Sequence, residues 1–397
     1  MTKKPSYRFT GYTEVWEEKK LGNLGSVEMC RRIFKEETSA EFEIPFFKIG
    51  TFGGEADTYI TREKFEEYKT KFAYPQRGDL LLSASGSIGR VVEYDGDEAY
   101  YQDSNIVWLN HHGKINNKFL KAFYKIVSWS GIEGTTIKRL YNKNILETDI
   151  SLPSLSEQTA IGSFFQDIDQ LINLQQRKLE VLKEQKKTYL KLLFPAKGQI
   201  KPALRFAGFE DDWKEVKLGE VLTERNIQMV PSDQVPLVSF TVENGVTPKT
   251  ERYNREFLVR EESKKYKYTR YNDIVYNPAN LKFGAIARNK YGEAVFSPIY
   301  VTFEVNYSNI LPEFIEGILT SKDFIQQALK FQEGTVYERM AVKADDFTRL
   351  AITVPSLPEQ EAIGSFFQDL DKAIAKQEER VNQLKESKQT LLRKMFI

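Results

Sequence analysis

The sequence predicts an α+β fold in which two pseudo-symmetric mixed α/β domains are joined by two long antiparallel coiled-coil helices. Three observations predict this fold. A helical stretch occurs twice, the regions ahead of the two copies share landmarks in the same order, and both copies carry apolar residues at coiled-coil spacing. The expected segments are a first globular domain, a first helical region, a second globular domain and a second helical region, at 1–151, 152–197, 198–353 and 354–397.

The repeat is clearest where the two helical regions begin. Between Ser154 and Ile172, 14 of 19 positions are identical in the sequence 202 residues later. An internal duplication of this length indicates one structural element that is used twice. Both copies open with Ser-Leu-x-Glu-Gln, so that Ser154 with Glu157, and Ser356 with Glu359, have the spacing of a capping box. We therefore expect a helix to start at each copy.

Each predicted helix has a seam of residues that recur at alternating steps of four and three, the period of a coiled coil. A helix of about 40 residues is about 60 Å long. In the first copy the seam residues are Ile168, Ile172, Gln175, Leu179, Leu182, Lys186, Tyr189 and Leu193. In the second copy they are Leu370, Ile374, Gln377, Val381, Leu384, Lys388, Leu391 and Met395.

The polar seam residues suggest one particular antiparallel register, in which polar layers meet polar layers and apolar layers meet apolar layers. That register pairs Gln175 with Lys388, Lys186 with Gln377, Ile172 with Leu391, Ile168 with Met395, and Leu179 with Leu384. The alternative is that Lys186 and Lys388 extend out of the seam towards solvent.

The two globular domains share landmarks but have diverged, because the offset between them drifts. The shared landmarks are Arg8-Phe9 with Arg205-Phe206, Trp16 with Trp213, Leu21-Gly22 with Leu218-Gly219, Gly78-Asp79 with Asn272-Asp273, and Gly134-Thr135 with Gly334-Thr335. Short β-branched or aromatic runs predict strands at Leu80–Ser83, Val91–Tyr94, Ile106–Leu109, Ile274–Tyr276, Ala285–Arg288 and Ile299–Phe303. Helical apolar spacing predicts helices at Lys118–Trp129 and Glu313–Phe331.

Composition limits the class of protein. The chain has 41% hydrophobic and 28% charged residues, as expected for a globular protein with sizeable cores. We expect neither a signal peptide nor a membrane span, because the sequence has no apolar run of the required length. Cys30 is the single cysteine, which fits the reducing cytoplasm and excludes an intrachain disulfide or a Cys/His zinc site. His111 and His112 are expected in a surface turn.

Several kinds of catalytic site are not supported by the sequence, and we predict that the chain is not an enzyme by itself. A DNA methyltransferase would need a glycine-rich cofactor loop and an Asn/Asp-Pro-Pro-aromatic motif, whereas Asn277-Pro278-Ala279-Asn280 lacks the second proline and the aromatic residue. The sequence contains no P-loop motif of an ATPase. We expect no catalytic residues, no metal site and no cofactor bound to this chain.

The order of domain, helix, domain, helix resembles the specificity subunit (HsdS) of type I restriction–modification systems over the full chain. The similarity is carried by Leu152-Pro153-Ser154-Leu155-x-Glu157-Gln158 and its copy Val354-Pro355-Ser356-Leu357-x-Glu359-Gln360. The openings at Trp16 and Trp213, the Gly-Thr pairs and Ser87-Ile88-Gly89-Arg90 support it. The doubled motif, followed by long helices, makes the resemblance specific.

The resemblance implies a subunit that recognises double-stranded DNA and has no chemistry of its own. Each globular domain would then be a target-recognition domain for one half of a bipartite, asymmetric site, and the helices would set the spacing. The expected partners are methylation subunits, two in number, which bring S-adenosylmethionine, and restriction subunits with translocase activity. Gly162 and Gly364 would suit close packing either with such a partner or with the chain's own recognition domain.

Charge alone does not locate a DNA-binding surface. Residues 1–150 contain 22 basic and 22 acidic side chains, and residues 198–353 contain 21 and 22. Any basic surface must therefore be segregated, as in the clusters at Lys138-Arg139 and at Lys264, Lys265, Lys267 and Arg270. Polar and basic loop side chains can contact phosphates and base edges. The candidates are Ser85, Ser87, Arg90, Thr136, Lys138, Arg139, Asn142 and Lys143 in the first domain, and Asn280, Lys282, Arg288, Tyr337, Arg339 and Lys343 in the second.

An alternative from another class is a scaffold in which a coiled coil joins two protein-binding modules. The helical regions alone do not distinguish the two functions. Dependence of DNA affinity on salt and on methylation subunits would distinguish them.

Overall fold

A computed structural model describes residues 5–130, 139–196, 198–248, 264–333 and 340–396. The chain forms two compact units. The first unit comprises Met1–Gln176 together with Glu379–Ile397, and the second unit comprises Arg177–Glu378. Each long helix therefore belongs to the first unit over one part of its length and to the second unit over the other. The predicted division into four segments stays a prediction.

The first unit is built on a four-stranded antiparallel sheet. Its strands are β1 (Glu17–Lys20), β2 (Ser26–Glu28), β3 (Ile44–Phe47), β4 (Tyr59–Ile60), β5 (Leu80–Ser83), β6 (Val91–Glu93), β7 (Tyr100–Tyr101), β8 (Ile106–Asn110) and β9 (Asp149–Leu152). Its helices are α1 (Leu21–Leu24), α2 (Arg62–Lys71), α3 (Asn117–Phe123), α4 (Asn142–Leu146) and the first part of α5 (Leu155–Leu192). The main sheet has the order β2-β8-β5-β6, a smaller sheet has the order β4-β3-β7, and β1 pairs with β9.

The second unit repeats this plan. Its strands are β10 (Lys214–Lys217), β11 (Leu222–Glu224), β12 (Gln228–Met229), β13 (Val238–Thr241), β14 (Gly245–Pro248), β15 (Tyr266–Thr269), β16 (Ile274–Tyr276), β17 (Ile286–Arg288), β18 (Ala294–Phe296), β19 (Val301–Val305) and β20 (Ala351–Val354). Its helices are α6 (Leu218–Val221), α7 (Pro312–Leu319), α8 (Lys322–Ala328), α9 (Ala344–Thr348) and the first part of α10 (Leu357–Phe396). The order β11-β19-β16-β17 matches the main sheet of the first unit, and β10 pairs with β20 as β1 pairs with β9.

The structure confirms the predicted strands within a few residues, but it shortens the two predicted helices of the globular domains. α3 ends at Phe123, although the sequence predicts a helix as far as Trp129. The helix predicted at Glu313–Phe331 is two helices. The second helix has its own cap, because the Ser321 hydroxyl accepts a hydrogen bond from the Phe324 amide at 3.2 Å.

Each unit has its own hydrophobic core, and the end of a long helix completes it. In the first unit, Leu392 and Met395 of α10 are buried in the core with Trp16 and Phe119. In the second unit, Leu193, which directly follows α5, is buried in the core with Trp213 and Phe314. Removal of either helix end would expose apolar surface in the unit that it completes.

Within each unit the two long helices pair in antiparallel fashion, as predicted. In the first unit Phe165 contacts Phe396, while Gln176, further along α5, accepts a hydrogen bond from Lys385, earlier in α10. In the second unit Lys183 pairs with Glu378 and Lys186 pairs with Asp371. None of the 16 predicted seam residues is exposed, so the sequence correctly identifies which face of each helix is turned inwards.

The predicted register is wrong, because the contacts across the helix pair are displaced from it by two to eight residues, always in the same direction. It places Lys388 opposite Gln175 and Lys186 opposite Gln377, but these lysines pair with Asp169 and Asp371, each six residues earlier in the facing helix. The ring of Tyr189 contacts Phe366, which is displaced in the same direction. The physical reason is that a lysine in a half-buried seam is stabilised more by a carboxylate than by an amide.

Candidate nucleic-acid interface

The repeated Ser-Leu-x-Glu-Gln sequence locks each long helix to the start of its own unit. In the first unit the Ser154 hydroxyl caps the helix by accepting from the Glu157 amide at 3.4 Å. The Glu157 carboxylate does not return to the cap, so only half of the predicted capping box forms. Instead it is fully buried and accepts hydrogen bonds from Arg8 at 2.6 and 2.7 Å and from the Trp16 indole at 3.3 Å.

The second unit contains the same arginine–glutamate pair, although the buried indole nitrogen of Trp213, the counterpart of Trp16, makes no hydrogen bond within the part of the chain that the structure describes. Arg205 donates to Glu359 at 2.8 and 2.6 Å. The neighbouring glutamines are also used alike, because Gln158 accepts from the Asn116 amide and Gln360 accepts from the Leu311 amide, both at 2.9 Å. The Arg-Phe and Glu-Gln landmarks recur together because they are parts of one contact.

Gly162 and Gly364 allow close packing within their own units. A Cβ atom on Gly162 would lie 2.6 Å from the Phe119 backbone nitrogen, and one on Gly364 would lie 2.8 Å from the Glu313 Cβ. Such distances are too short for any side chain. These contacts favour the second of the two roles expected for these glycines, which is packing against the recognition domain of the same chain.

This frame holds a β-hairpin tip in each unit. The first tip, residues 84–90, joins β5 to β6 and is closed by hydrogen bonds from the Gly89 amide to the Ser83 carbonyl and from the Arg90 amide to the Ser83 hydroxyl, both at 2.9 Å. Ser87 and Arg90 are exposed, whereas Ser85 is half-buried and donates to Asn105. The Arg90 guanidinium also donates to the Phe52 carbonyl at 2.6 Å, so its position is fixed.

The second tip, residues 277–285, joins β16 to β17 in the same place. The buried Asn277 side chain accepts from the Ala279 and Asn280 amides at 3.1 and 3.2 Å. Gly284 has φ of 85°, which permits the tight turn back into β17. Asn280 and Lys282 are exposed, as the sequence predicts for side chains that could meet DNA.

Each tip is bonded to the chain segment that ends in α4 or α9. The Leu140 amide donates to the Ala84 carbonyl at 2.8 Å, and the Val342 amide donates to the Pro278 carbonyl at 3.2 Å. The candidates on these segments lie beside the tips: Arg139 is half-buried and bonded to the Ser104 carbonyl, while Asn142, Lys143 and Lys343 are exposed. The candidates Thr136, Lys138, Tyr337 and Arg339 lie outside the described residues.

Arg288 is not a candidate for base contact in this structure, and that prediction is corrected. Its side chain is 4% exposed and pairs with Glu313 at 2.7 Å and Glu316 at 2.9 Å. The equivalent position in the first unit is Glu93, which pairs with Lys121 of α3 at 2.8 Å. The same sheet-to-helix ion pair therefore occurs in both units with opposite polarity.

The predicted basic cluster in the second unit is also smaller than expected. Lys264, Lys265 and Arg270 are exposed, but Lys267 is buried and donates to Glu224 at 3.2 Å. Of the histidine pair, His112 is exposed, whereas His111 is buried and hydrogen-bonded to Asn117. The prediction that both histidines lie in a surface turn is therefore wrong for His111.

Sequence reasoning missed three lysines at α3. Lys118 and Lys121 share one face of α3, and Lys125 lies in the turn directly after the helix. They line a cleft of about 200 Å³ between α3 and α5. The three-residue spacing of Lys118 and Lys121 within the predicted helix indicates this face, whereas the net charge of a whole domain does not.

A sequence model of the type I restriction modification DNA specificity domain matches residues 13–184 and, a second time, residues 210–386. The chain belongs to this family. The two matches cover most of both units, in agreement with the internal repeat. Within the described ranges, no helix of this type I specificity protein is long and apolar enough to cross a membrane.

Relatives in the family include bacterial and archaeal specificity subunits. A type I restriction enzyme specificity subunit of Haemophilus influenzae is 51% identical over 154 residues, which are 38% of this chain and 40% of that protein. The MjaX specificity subunit of Methanocaldococcus jannaschii is 23% identical over 355 residues, 79% of this chain and 76% of that protein.

Two solved structures share the fold over nearly the full chain. The S subunit of a type I restriction–modification system from M. genitalium has a TM-score of 0.61 at 16% identity, and the match covers 99% of this chain and 99% of that one. A chain from a structure of the type I restriction–modification system has a TM-score of 0.54 at 17% identity, and the match covers 98% of this chain and 99% of that one.

Proposed function

We propose that this chain is the sequence-specific DNA-binding subunit of a type I restriction–modification complex. In this proposal the first tip and its flanking segment read one half of a bipartite site, and the second tip reads the other half. The observation that carries the proposal is that two equivalent tips, each hydrogen-bonded to the equivalent neighbouring segment, expose different side chains. Two different readers on a repeated frame fit an asymmetric site with unlike halves.

The long helices would set the distance between the two half-sites and would dock the methylation subunits. Their first 19 positions are the most strongly repeated part of the chain, which suits two copies of one partner. S-adenosylmethionine would be bound by those partners, and restriction subunits with translocase activity would join the same complex. The chain itself would contribute recognition and no bond-making step.

Methylome sequencing tests the proposal directly. Cells that express this chain with its methylation subunits should show a split methylated motif that vanishes when the chain is deleted. Alanine variants of Ser87 and Arg90 should relax bases in one half of the motif only, and alanine variants of Asn280 and Lys282 should relax bases in the other half only.

The exposed Lys322 on α8 provides a control, because its alanine variant should leave the motif unchanged. An unchanged methylome on deletion of the chain would contradict the proposal and favour a protein scaffold. Relaxation of both halves by variants of a single tip would contradict the assignment of one half-site to each unit.

A further inference from the structure

One helix face has opposite charge in the two units. Lys118, Lys121 and Lys125 of the first unit correspond to Glu313, Glu316 and Thr320 of the second. The alignment is fixed by structure: Phe119 and Phe314 each follow the first of these positions, and Gly162 and Gly364 pack against the two helices in the same way. The rest of the frame is shared, so the reversal is specific to this face.

In the second unit the acidic face is neutralised by the chain itself. Glu313 and Glu316 both pair with the buried Arg288, and Glu316 also pairs with Lys290 at 2.8 Å. Lys186 and Asp371, the counterparts of Lys388 and Asp169, pair with each other, so three carboxylates meet three cations. That balance leaves this face of the second unit with no surplus charge to attract a ligand.

In the first unit the basic face carries a surplus of positive charge. Lys121 pairs with Glu93 at 2.8 Å, while Lys125 and Lys388 both pair with Asp169. Lys118 is exposed and makes no ion pair within the ranges that the structure describes. Four lysines thus meet two carboxylates. Burial lowers the pKa of Lys125, and Lys388 lowers it further against the opposing effect of Asp169.

The surplus charge lies in a cleft that can hold an anion. The cleft between α3 and α5 has a volume of about 200 Å³. Its walls carry Lys118, Lys121 and Lys125 together with the carboxylates of Glu93 and Asp169, and Lys118 is the lysine that these carboxylates leave without a partner. They also carry the exposed amide side chains of Gln166, Gln170 and Asn173. Lysine ammonium groups and side-chain amides are typical donors to phosphate oxygens.

The cleft is connected to the first tip. The segment that follows α3 runs to Trp129, and a Cβ atom on Gly89 of the tip would lie 3.3 Å from the Trp129 indole nitrogen. On the other side, β6 runs from the end of the tip at Val91 to Glu93, which is the partner of Lys121. Lys125 lies in the segment that follows α3, four residues before Trp129.

We infer that this cleft binds a backbone phosphate of DNA next to the half-site read by the first tip, and that the second unit has no equivalent contact. The inference rests on the proposed function and adds a sequence-independent anchor in one unit only. The chain would therefore hold the two half-sites with unequal electrostatic strength.

DNA fits this cleft better than a partner protein does. Two copies of one methylation subunit would meet equivalent surfaces on the repeated frame, and a surface that is basic in one unit and neutral in the other cannot serve both copies equally. A DNA backbone is uniformly anionic, so it can use the basic face and simply lack this contact at the other unit.

The test is a salt titration of DNA binding by the complete complex with methylation subunits. The variants are Lys118→Gln and Lys125→Gln, singly and together. Asp169 retains Lys388 when Lys125 is replaced, so the fold should persist, and Lys118→Gln changes only an exposed side chain. Loss of a phosphate contact should flatten the slope of log affinity against log salt by about 0.9. The variants should lower DNA affinity by the same factor on cognate and on random duplexes.

The matched control is Lys322→Gln in the second unit, which should leave the slope unchanged. A wild-type slope in the double variant, with sequence preference retained, would overturn the inference while leaving the proposed function intact. Weaker binding of methylation subunits in size-exclusion chromatography, with unaltered DNA affinity of the complexes that form, would identify a protein-docking site and would also overturn it. Absence of sequence preference in the wild type would contradict the proposed function itself.

Discussion

The buried carboxylate of Glu157 joins two parts of the first unit that are far apart in the sequence. Its two hydrogen bonds from Arg8 and one from Trp16 join the start of the unit to the start of α5. A buried ion pair is weak evidence for net stability, but removal of one partner strands the other charge. The local spacing of Ser154 and Glu157 predicts a helix cap. The true partner of Glu157, Arg8, lies 149 residues away, so no local pattern in the sequence indicates it.

We expect Glu157→Gln to destabilise the first unit by about 3 kcal/mol, because Arg8 then keeps its charge in a site with 12% side-chain exposure and no carboxylate. Urea denaturation followed by tryptophan fluorescence measures the change. Glu36→Gln, on the exposed surface of the same unit, should have little effect. A loss below about 1 kcal/mol would show that the lock is dispensable.

Individual side-chain roles were the least predictable feature. Ser87, Asn280 and Lys282 are exposed as expected, since polar residues in Gly- or Asn-rich turns are usually solvated. Arg288 was mistaken for a DNA contact because its partners, Glu313 and Glu316, lie on a helix 25 and 28 residues later. No local pattern in the sequence reveals that pairing.

Among the secondary-structure elements, the contact between α3 and α5 depends on Gly162. A glycine inside a helix is unfavourable by about 1 kcal/mol relative to alanine, so its presence needs a compensating contact. Here the contact is the approach of the Phe119 backbone to within 2.6 Å of the missing Cβ position.

Gly162→Ala should therefore destabilise the first unit by about 1–2 kcal/mol, despite the gain in helix propensity, because α3 must move away from α5. Thermal unfolding provides the measurement. Asp167→Ala, an exposed site on the same helix, isolates the propensity effect and should be neutral or slightly stabilising. A stabilised Gly162→Ala protein would contradict the close packing.

Elements with a strong period were predictable and their ends were not. The seam of both long helices was identified correctly because a 3.5-residue repeat persists along each of them. Their register does not follow from the seam residues alone, since Asp169 and Asp371, which pair with the seam lysines, lie beside the seam and not in it. The break between α7 and α8 depends on one serine cap, which is a weak signal within an apolar helical pattern.

For the molecule as a whole, each unit depends on residues from the far end of a helix. The ring of Phe396 lies 5.0 Å from Phe119 and 6.1 Å from Phe165 between ring centroids, inside the first unit. In the second unit, Phe194 lies 5.4 Å from Phe314. The core of the first unit therefore includes residues from the C-terminal end of the chain, and the core of the second unit includes a residue just after the end of the first long helix.

Phe396→Ala should loosen the first unit and leave the second unit protected, and Phe194→Ala should do the reverse. Because both rings are half-buried, we expect a loss of about 2 kcal/mol, less than for a fully buried phenylalanine. Hydrogen exchange of amides in α3 and α7 reports on the two units separately. Equal loss of protection in both helices for either variant would contradict this division.

The overall organisation was predictable because a duplication leaves a signal in the sequence whatever its structure. Two mixed α/β domains and two antiparallel helices follow from repeated landmarks and one sustained period. The site was only partly predictable, because exposure at the tips depends on tertiary hydrogen bonds such as that between Leu140 and Ala84.

The sheet-to-helix ion pair of opposite polarity limits how such a chain can change by recombination. A crossover that exchanged only the helix would set Glu93 beside Glu316, and the reciprocal hybrid would set Arg288 beside Lys121. The buried Arg288 would then lack a counter-charge, which is costly. The strand, the tip and the helix of one unit must therefore be exchanged together if the ion pair between strand and helix is to be kept. An exchanged tip keeps its own ion pair only when the strand and the helix beside it are exchanged with it.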